Sequence, residues 1–231
     1  MAIMSIKYTK LIAILFVMII TLKSLEYFIK YQEENKHKEE KDEELERVKI
    51  SIHYEALCPD SRFFVVYQLL PIFKRLKNNI DLDFIPYGKA KTIETAGKIE
   101  FECQHDVTEC FANKIHACAI STLKNPERLI NYISCLLKQY LSPPEEAGEL
   151  CAKEQNINFT PILDCANSNH GSILLKHYGE RTNALRPRVK FIPTIQFNGS
   201  QSIVNQALIL KDFKKAFCSM LRVKPKLCLN S

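Results

Sequence analysis

The chain has 231 residues, 46% of them hydrophobic, which suits one domain of under roughly 200 residues plus an N-terminal appendage. Its net charge of +6 comes from lysines that are spread along the chain among acidic residues. Lys and Arg do not cluster with aromatic residues anywhere in the sequence, so we expect no nucleic-acid partner.

The sequence of residues 1–24 predicts a targeting segment. Lys7 and Lys10 precede LIAILFVMIITL, a mostly apolar run that ends at Lys23. A short apolar run behind positive charge is typical of a secretory signal peptide, whereas a spanning helix needs about 20 apolar residues. No small-x-small cleavage motif follows, so a cleaved signal and an uncleaved anchor of a type II membrane protein both remain open. Either one sends the rest of the chain into the secretory pathway.

Residues 25–47 predict a charged linker, because KYQEENKHKEEKDEELER is almost wholly polar. The folded domain is expected at residues 48–228. It begins with RVKISIHYEAL, whose apolar residues alternate with polar ones and predict a strand. The alternating positions are Val48, Ile50, Ile52 and Tyr54.

A helix is predicted directly after this strand. Pro59 suits its first turn, and Pro71 is expected to kink it. Apolar residues with helical spacing form one side at Phe63, Val66, Tyr67, Leu70 and Phe73, and a second side at Phe64, Val65, Leu69 and Ile72. The helix should therefore be buried on more than one face. IDLDFIPYG then predicts a second strand, which completes a β-α-β unit.

The rest of the chain predicts a helical insertion followed by a short C-terminal part. The insertion, at about 89–185, contains the helical segments CFANKIHACAISTLKN and PERLINYISCLLKQYL, and SPPEEAG starts another helix. KFIPTIQFNGSQSIV predicts a β-hairpin that turns at Asn198–Gly199, and a last helix runs from Gln206 to about Met220.

This order of elements is that of a thioredoxin-type α/β fold with a disulfide-rich helical insertion between its second and third strands. In such a fold, a strand that opens with an X-Pro bond faces the cysteine at the end of the first strand. Ile192–Pro193 is placed for this role, so Pro193 is predicted to support the active site.

Nine cysteines in an oxidising compartment predict four disulfides and one free thiol. Cys58 stands alone, 45 residues before the next cysteine, and is the predicted free thiol. The predicted disulfide cysteines are Cys103, Cys110, Cys118, Cys135, Cys151, Cys165, Cys218 and Cys228. Eight cysteines allow 105 pairings, and only a local bridge between Cys218 and Cys228 is suggested by the sequence.

Cys58 is the predicted nucleophile. The unpaired N–H groups and the dipole at the first turn of a helix favour a thiolate there. Three residues on, where a dithiol enzyme has its second cysteine, the chain has Ser61. A hydroxyl is too weak a nucleophile to break a mixed disulfide, although it can hydrogen-bond a thiolate. A redox role would therefore need an external thiol such as glutathione or free cysteine, and the alternative is a domain that has lost its activity.

The segment CQHDVTECFANKIHAC also raises the question of a metal site, which would use Cys103, His105, Cys110, His116 and Cys118. It contains no C-x-x-C pair, and the compartment favours disulfides over thiolate ligands. We therefore expect no metal here, and we expect His105 to be a structural hydrogen-bonding residue.

The same segment resembles the signature of the gamma-interferon-inducible lysosomal thiol reductase family, Cys-Gln-His-Gly-x2-Glu-Cys-x2-Asn-x4-Cys. The matching residues are Cys103, Gln104, His105, Glu109, Cys110, Asn113 and Cys118. Asp106 replaces the glycine, which a turn tolerates if it does not force a positive φ there. The resemblance extends through YEALC, IPYG, CLL, LC, DCA and RTNALRP, over about residues 48–228.

The resemblance implies a thioredoxin-like fold, reduction of protein disulfides in lysosomes, endosomes or outside the cell, glycosylation, and no metal or organic cofactor. The first cysteine of the family's Cys-x-x-Cys pair corresponds to Cys58, and the second is replaced by Ser61. The expected function is disulfide reduction or shuffling by one thiol, with proteins and small thiols as partners. The alternative is an inactive member that binds substrates. Sequons at Asn198 and Asn158 predict glycosylation, less so at Asn158 because Pro161 follows the sequon.

Overall fold

The computed structural model describes residues 16–33, 46–202 and 204–229. The chain divides into two compact units, Met1–Leu45 and Glu46–Ser231. In the first unit, residues 16–33 form a helix. Residues 1–15 of the predicted targeting segment and residues 34–45 of the predicted linker lie outside the described residues. No helix within the described part of the chain has both the length and the apolar character to cross a membrane.

The second unit contains five strands and nine α-helices among its described residues. The strands are β1 (Val48–Tyr54), β2 (Ile80–Pro86), β3 (Lys91–Thr95), β4 (Lys98–Glu102) and β5 (Thr194–Phe197). The helices are α1 (Pro59–Phe63), α2 (Leu70–Leu76), α3 (Asp106–Thr122), α4 (Pro126–Lys138), α5 (Pro144–Glu154), α6 (Thr160–Asn167), α7 (Asn169–Asn183), α8 (Gln206–Lys211) and α9 (Phe213–Met220). A π-helical segment, Phe64–Leu69, joins α1 to α2.

The main sheet has the strand order β2-β1-β5. β1 pairs with β2 in parallel, from Val48 opposite Ile80 to Tyr54 opposite Pro86, and with β5 antiparallel. Because β1 is the central strand, nearly all of its residues are buried. The predicted β-α-β unit is confirmed, and so is the α/β fold with its insertion between the second and third strands of this sheet.

The helical stretch after β1 is wider than an α-helix in its middle. The N–H of Leu70 donates to the carbonyl of Val65, five residues back, and Pro71 follows in the first turn of α2. A π turn contains about one residue more than an α-helical turn, which changes which residues share a face. Phe63 and Tyr67, predicted to be buried, are 54% and 62% exposed, with ring centroids 5.8 Å apart.

The insertion between β2 and β5 differs from the prediction at its start, where two strands precede the helices. β3 and β4 form an antiparallel hairpin around Ala96 and Gly97, which both have positive φ. Alanine rarely adopts this conformation, so the sequence lacks the usual hairpin signal. The predicted helical segments are present from α3 onward.

Four disulfides join the eight predicted cysteines. The pairs are Cys103–Cys110, Cys118–Cys165, Cys135–Cys151 and Cys218–Cys228. The first three connect parts of the insertion with one another, and the fourth closes the C-terminal segment behind α9. The last pair is the local bridge that the sequence suggested.

The predicted β-hairpin after Pro193 is reduced to a single strand and a turn. Asn198 and Gly199 do turn with positive φ, but only a one-residue bridge between Phe197 and Ser200 follows within the described residues. The side chain of Gln206 takes the place of a further strand: its Oε1 accepts from the N–H of Ile195 at 2.9 Å, and its Nε2 donates to the same residue's carbonyl. The predicted last helix is also divided, because Asp212 breaks it into α8 and α9.

Aromatic side chains attach these last helices to the sheet. Phe213 lies 5.4 Å from Phe64, edge to face, and 6.2 Å from Phe197 on β5. All three rings are almost completely buried. The core therefore fixes β5, and with it the segment before Pro193, relative to the helix that follows β1.

Candidate active site

Cys58 occupies the N-cap position of α1, four residues after Tyr54, the last residue of β1. Its N–H donates to the carbonyl of Glu55 at 3.4 Å, and its carbonyl accepts from the N–H of Arg62 at 3.0 Å. The thiol is 8% exposed, and its Sγ lies 3.8 Å from the carbonyl oxygen of Ile192. The Ile192–Pro193 peptide bond is cis. The structure thus brings the predicted nucleophile and the predicted proline segment together.

Ser61 and Pro59 lie in the first turn of the helix that Cys58 opens. Ser61 is fully buried, and its Oγ accepts from the N–H of Glu55 at 3.4 Å. The hydroxyl was expected to be able to hydrogen-bond the thiolate, whereas its hydrogen bond here is to the backbone of the turn. Cys58 is the one unpaired cysteine of the nine, all of which lie in described residues.

Two residues on α3, Asn113 of the signature and His116, hold the segment that leads to Cys58. The Oδ1 of Asn113, a fully buried side chain, accepts from the N–H of Ala56 at 2.9 Å. One turn further on, Nδ1 of His116 lies 2.8 Å from the hydroxyl of Tyr54. Burial lowers the pKa of His116 to about 3, so the imidazole is neutral and the phenol donates to it.

A buried carboxyl group that the sequence reasoning missed lies beneath this turn. Glu55 is 1% exposed, and its Oε1 accepts from the N–H of Lys89 at 2.7 Å. The amide of Gln104, with its NH2 group turned toward Glu55, donates to the same oxygen at 3.1 Å. His105 Nδ1 lies 3.9 Å from Glu55 and 2.6 Å from Oε2 of Glu109, which is also fully buried. Burial raises the pKa of Glu55 to about 7.

The three cysteines of the Cys and His constellation that raised the question of a metal site, Cys103, Cys110 and Cys118, are all in disulfides. Ligand-type atoms of Glu55, His105 and Glu109 do lie within 4.8 Å of one another, a spacing that a cation can bridge. His105 is hydrogen-bonded to Glu109, and Glu55 accepts from the Lys89 amide, while His105 Nδ1 and Glu55 Oε2 are 3.9 Å apart. We therefore describe the three side chains as a polar cluster.

Asp106 adopts a backbone conformation that favours glycine, which explains why the signature has glycine at this position. Its φ is +66°, in the left-handed region. The condition under which a turn tolerates Asp easily, the absence of a forced positive φ, is therefore not met here. Asp is among the few residues with a side chain that visit this region, at a cost of about 1 kcal/mol.

Gly88 is required by the packing of Glu55, which gives a first prediction. A Cβ at Gly88 would lie 2.1 Å from Cγ of Glu55, and its φ is +62°. Gly97 has a similar φ of +81° with nothing within 4 Å, so Gly97→Ala reports backbone strain alone. We expect Gly88→Ala to lower the unfolding free energy in a denaturant titration by about 2 kcal/mol more than Gly97→Ala. Equal losses would show that Glu55 is free to move away.

A second prediction concerns Asn113. Asn113→Ala leaves the N–H of Ala56 without its acceptor in a buried site, which should cost about 1–3 kcal/mol of unfolding free energy. Ser134→Ala is the control, because the Ser134 hydroxyl is buried without a hydrogen-bond partner in the described part of the chain. Its removal should cost no stability. Thermal or denaturant unfolding of both variants measures the difference, and a harmless Asn113→Ala would contradict the assigned role.

Both predicted glycosylation sites lie on the surface. Asn198 is exposed at the turn after β5, although its Oδ1 accepts from the N–H of Lys49 at 2.9 Å. Asn158 is exposed just before α6, and its Oδ1 accepts from the N–H of Thr160 at 3.2 Å.

The protein belongs to the thioredoxin-like class. The features that define this class are the parallel β-α-β unit, the cysteine at the N-terminus of its helix and the X-Pro bond that faces the cysteine. The fold is similar to that of the reduced disulfide bond oxidoreductase DsbG from Mycobacterium tuberculosis, with a TM-score of 0.52 and 15% sequence identity over 78% of this chain and 81% of that one. Residues 49–155 match the family model described as gamma interferon inducible lysosomal thiol reductase (GILT).

Relatives with this family name are similar over most of the chain. The gamma-interferon-inducible lysosomal thiol reductase-like protein of Anopheles gambiae is 35% identical over 80% of this chain and 81% of its own length. GILT-like protein 1 of Drosophila melanogaster is 38% identical over 66% of each chain. The chain belongs to the gamma-interferon-inducible lysosomal thiol reductase family.

Proposed function

We propose that this protein is a thiol-disulfide oxidoreductase that reduces or shuffles protein disulfides through Cys58 alone. The observation that carries the proposal is the unpaired sulfur of Cys58 at the N-terminus of α1, 3.8 Å from the backbone carbonyl of Ile192. Membership of a thiol reductase family supports the reaction class. The names of the relatives and the four disulfides support a lysosomal, endosomal or secreted location.

The first step is attack of the Cys58 thiolate on one sulfur of a substrate disulfide. A mixed disulfide forms between Cys58 and the substrate, and the other substrate sulfur leaves as a thiolate. Cys58 is the N-cap residue of α1, so the nucleophile is held at the N-terminal end of that helix.

The second step has to come from outside the Cys58 turn, because Ser61 cannot attack the mixed disulfide. A glutathione or cysteine thiolate attacks the Cys58 sulfur and releases the second substrate thiol. A second small thiol then regenerates Cys58, and the two small thiols leave as one disulfide. If a thiol of the substrate attacks instead, the substrate disulfides are rearranged without net reduction.

The surface beside Cys58 supports a polypeptide substrate. Phe191, which precedes Ile192, is 39% exposed, and Phe63 and Tyr67 present their rings on the helix that Cys58 opens. Exposed aromatic residues next to a reactive group favour binding of an apolar chain segment. Neither active-site reduction nor shuffling requires a resident metal or organic cofactor.

The second candidate is a binding protein that has kept this surface and lost turnover. The observation in its favour is Ser61, which is fully buried at the position of the missing second cysteine and is hydrogen-bonded to the turn. Such a protein would form the non-covalent complex, or at most the mixed disulfide, without release.

A reductase assay separates the two candidates. Reduction of a disulfide-containing protein such as insulin is followed at pH 5 and pH 7.5, with and without glutathione, against glutathione alone. The oxidoreductase accelerates reduction only when glutathione is present. The binding protein gives no acceleration under any of these conditions.

A further inference from the structure

The segment Tyr54–Cys58 is held by hydrogen bonds from several elements at once. Asn113 on α3 binds the N–H of Ala56, and His116 on the same helix binds the Tyr54 hydroxyl. The N–H of Lys89, in the turn after β2, binds the Glu55 side chain at 2.7 Å. Each of these contacts acts on the few residues that lead directly to the nucleophile.

Glu55 is the residue at which these contacts meet. Its carbonyl accepts from the N–H of Cys58, and its own N–H donates to the hydroxyl of Ser61. Its side chain is closed in by Gly88, where no Cβ fits, and is bound by Lys89 and Gln104. A change at the Glu55 carboxyl is therefore transmitted directly to the backbone of the active-site turn.

The carboxyl group of Glu55 is also surrounded by other charged or titratable groups. At the N-terminal end of α3 it faces the N-cap residue His105 and Glu109, whose side chains are joined at 2.6 Å, and from the turn after β2 it faces Lys89. Two buried carboxyl groups thus share one half-exposed imidazole. Burial is the main reason that the pKa of Glu55 is raised, and the nearby charge of Glu109 raises it further.

We infer that Glu55 is a positioning residue for Cys58, and that the polar signature residues Gln104, His105, Glu109 and Asn113 serve to hold and tune the Glu55 turn. The signature thereby acts on the thiol without touching substrate. At acidic pH the Glu55 carboxyl is protonated and neutral. Above about pH 7 it is ionised, and its negative charge three residues from Cys58 opposes formation of a second negative charge on the sulfur.

The test measures the rate of Cys58 alkylation by iodoacetamide from pH 4.5 to 9 in the folded full chain. It depends on the proposed function only in treating Cys58 as the reacting thiol. The parent should show two inflections, one from the thiol and one from Glu55. Glu55→Gln keeps the shape of the side chain and removes its charge, so we expect a single inflection and several-fold faster alkylation above pH 8, with unchanged rates near pH 5.

Glu100→Gln, at an exposed position on β4, is the matched control and should superimpose on the parent. A Glu55→Gln profile that equals the parent's, or differs by one constant factor at every pH, overturns the inference. If Glu55→Gln does not fold, His105→Gln replaces it, because removal of that cationic neighbour should move the Glu55 inflection to higher pH. If the Glu55 inflection of His105→Gln lies at the same pH as in the parent, the inference is overturned. If Cys58 of the parent does not react with iodoacetamide at any pH, the proposed function is overturned instead.

Discussion

Cys58→Ser is expected to abolish the reductase activity, leaving only the rate of glutathione alone, a loss of at least about a hundredfold. The serine hydroxyl stays protonated in the tested range and does not attack disulfides. Cys58 is in no disulfide, and within the described part of the chain its sulfur makes a single weak hydrogen bond, at 3.8 Å. The substitution should therefore leave the unfolding midpoint within a few degrees of the parent's.

The assay for this variant is the glutathione-dependent reduction of insulin, measured together with thermal unfolding. Activity that survives in a folded Cys58→Ser variant would contradict the account, because it would require a second reactive sulfur among the cysteines that the structure pairs. Loss of activity together with loss of folding would be resolved by Cys58→Ala, which removes the sulfur without adding a buried hydroxyl.

Ser61→Cys is expected to raise turnover at low glutathione by about tenfold or more. A cysteine three residues after Cys58 would attack the mixed disulfide from within the same helical turn, at an effective concentration that a dissolved thiol does not reach. Ser61 is buried beside the turn, and the substitution removes only the 3.4 Å hydrogen bond from Glu55. Release of substrate should then no longer depend on the concentration of glutathione.

The control for Ser61→Cys is a tenth cysteine placed away from Cys58. Ser202 is exposed and follows β5, whose end at Phe197 pairs with Ile50 near the start of β1, at the opposite end of the strand from Cys58. Ser202→Cys should leave turnover unchanged. If Ser61→Cys gives no gain over Ser202→Cys, the missing second thiol is not what limits the protein, and the binding candidate is favoured.

The elements that the sequence predicted well are those whose periodicity is undisturbed. β1 alternates over its whole length, and α3, α4 and α5 of the insertion were recognised from their helical sequence character, whereas α6 and α7 were not individually predicted. The π turn before Pro71 changes the phase of its helix, which is why Phe63 and Tyr67 were assigned to the core and lie on the surface. The β3–β4 hairpin was missed because alanine occupies a position of positive φ in its turn.

The parts of the site that could be predicted from the sequence are those recognisable from a single residue and its position in the chain. Cys58 stood out by its isolation, and Pro193 by its place at the start of a strand. Glu55 was not found, because its role depends on contacts with Lys89 and His105, which are distant in the sequence. One signal was present: a glutamate three residues before the cysteine, immediately after the last residue of β1.

A map of the cysteines in the native protein tests the central claim most directly. The folded chain is alkylated with iodoacetamide without reductant, digested and analysed by mass spectrometry. The account predicts one adduct, on Cys58, and the bridges Cys103–Cys110, Cys118–Cys165, Cys135–Cys151 and Cys218–Cys228. Recovery of Cys58 in an intramolecular disulfide, with the adduct on another cysteine, would contradict it.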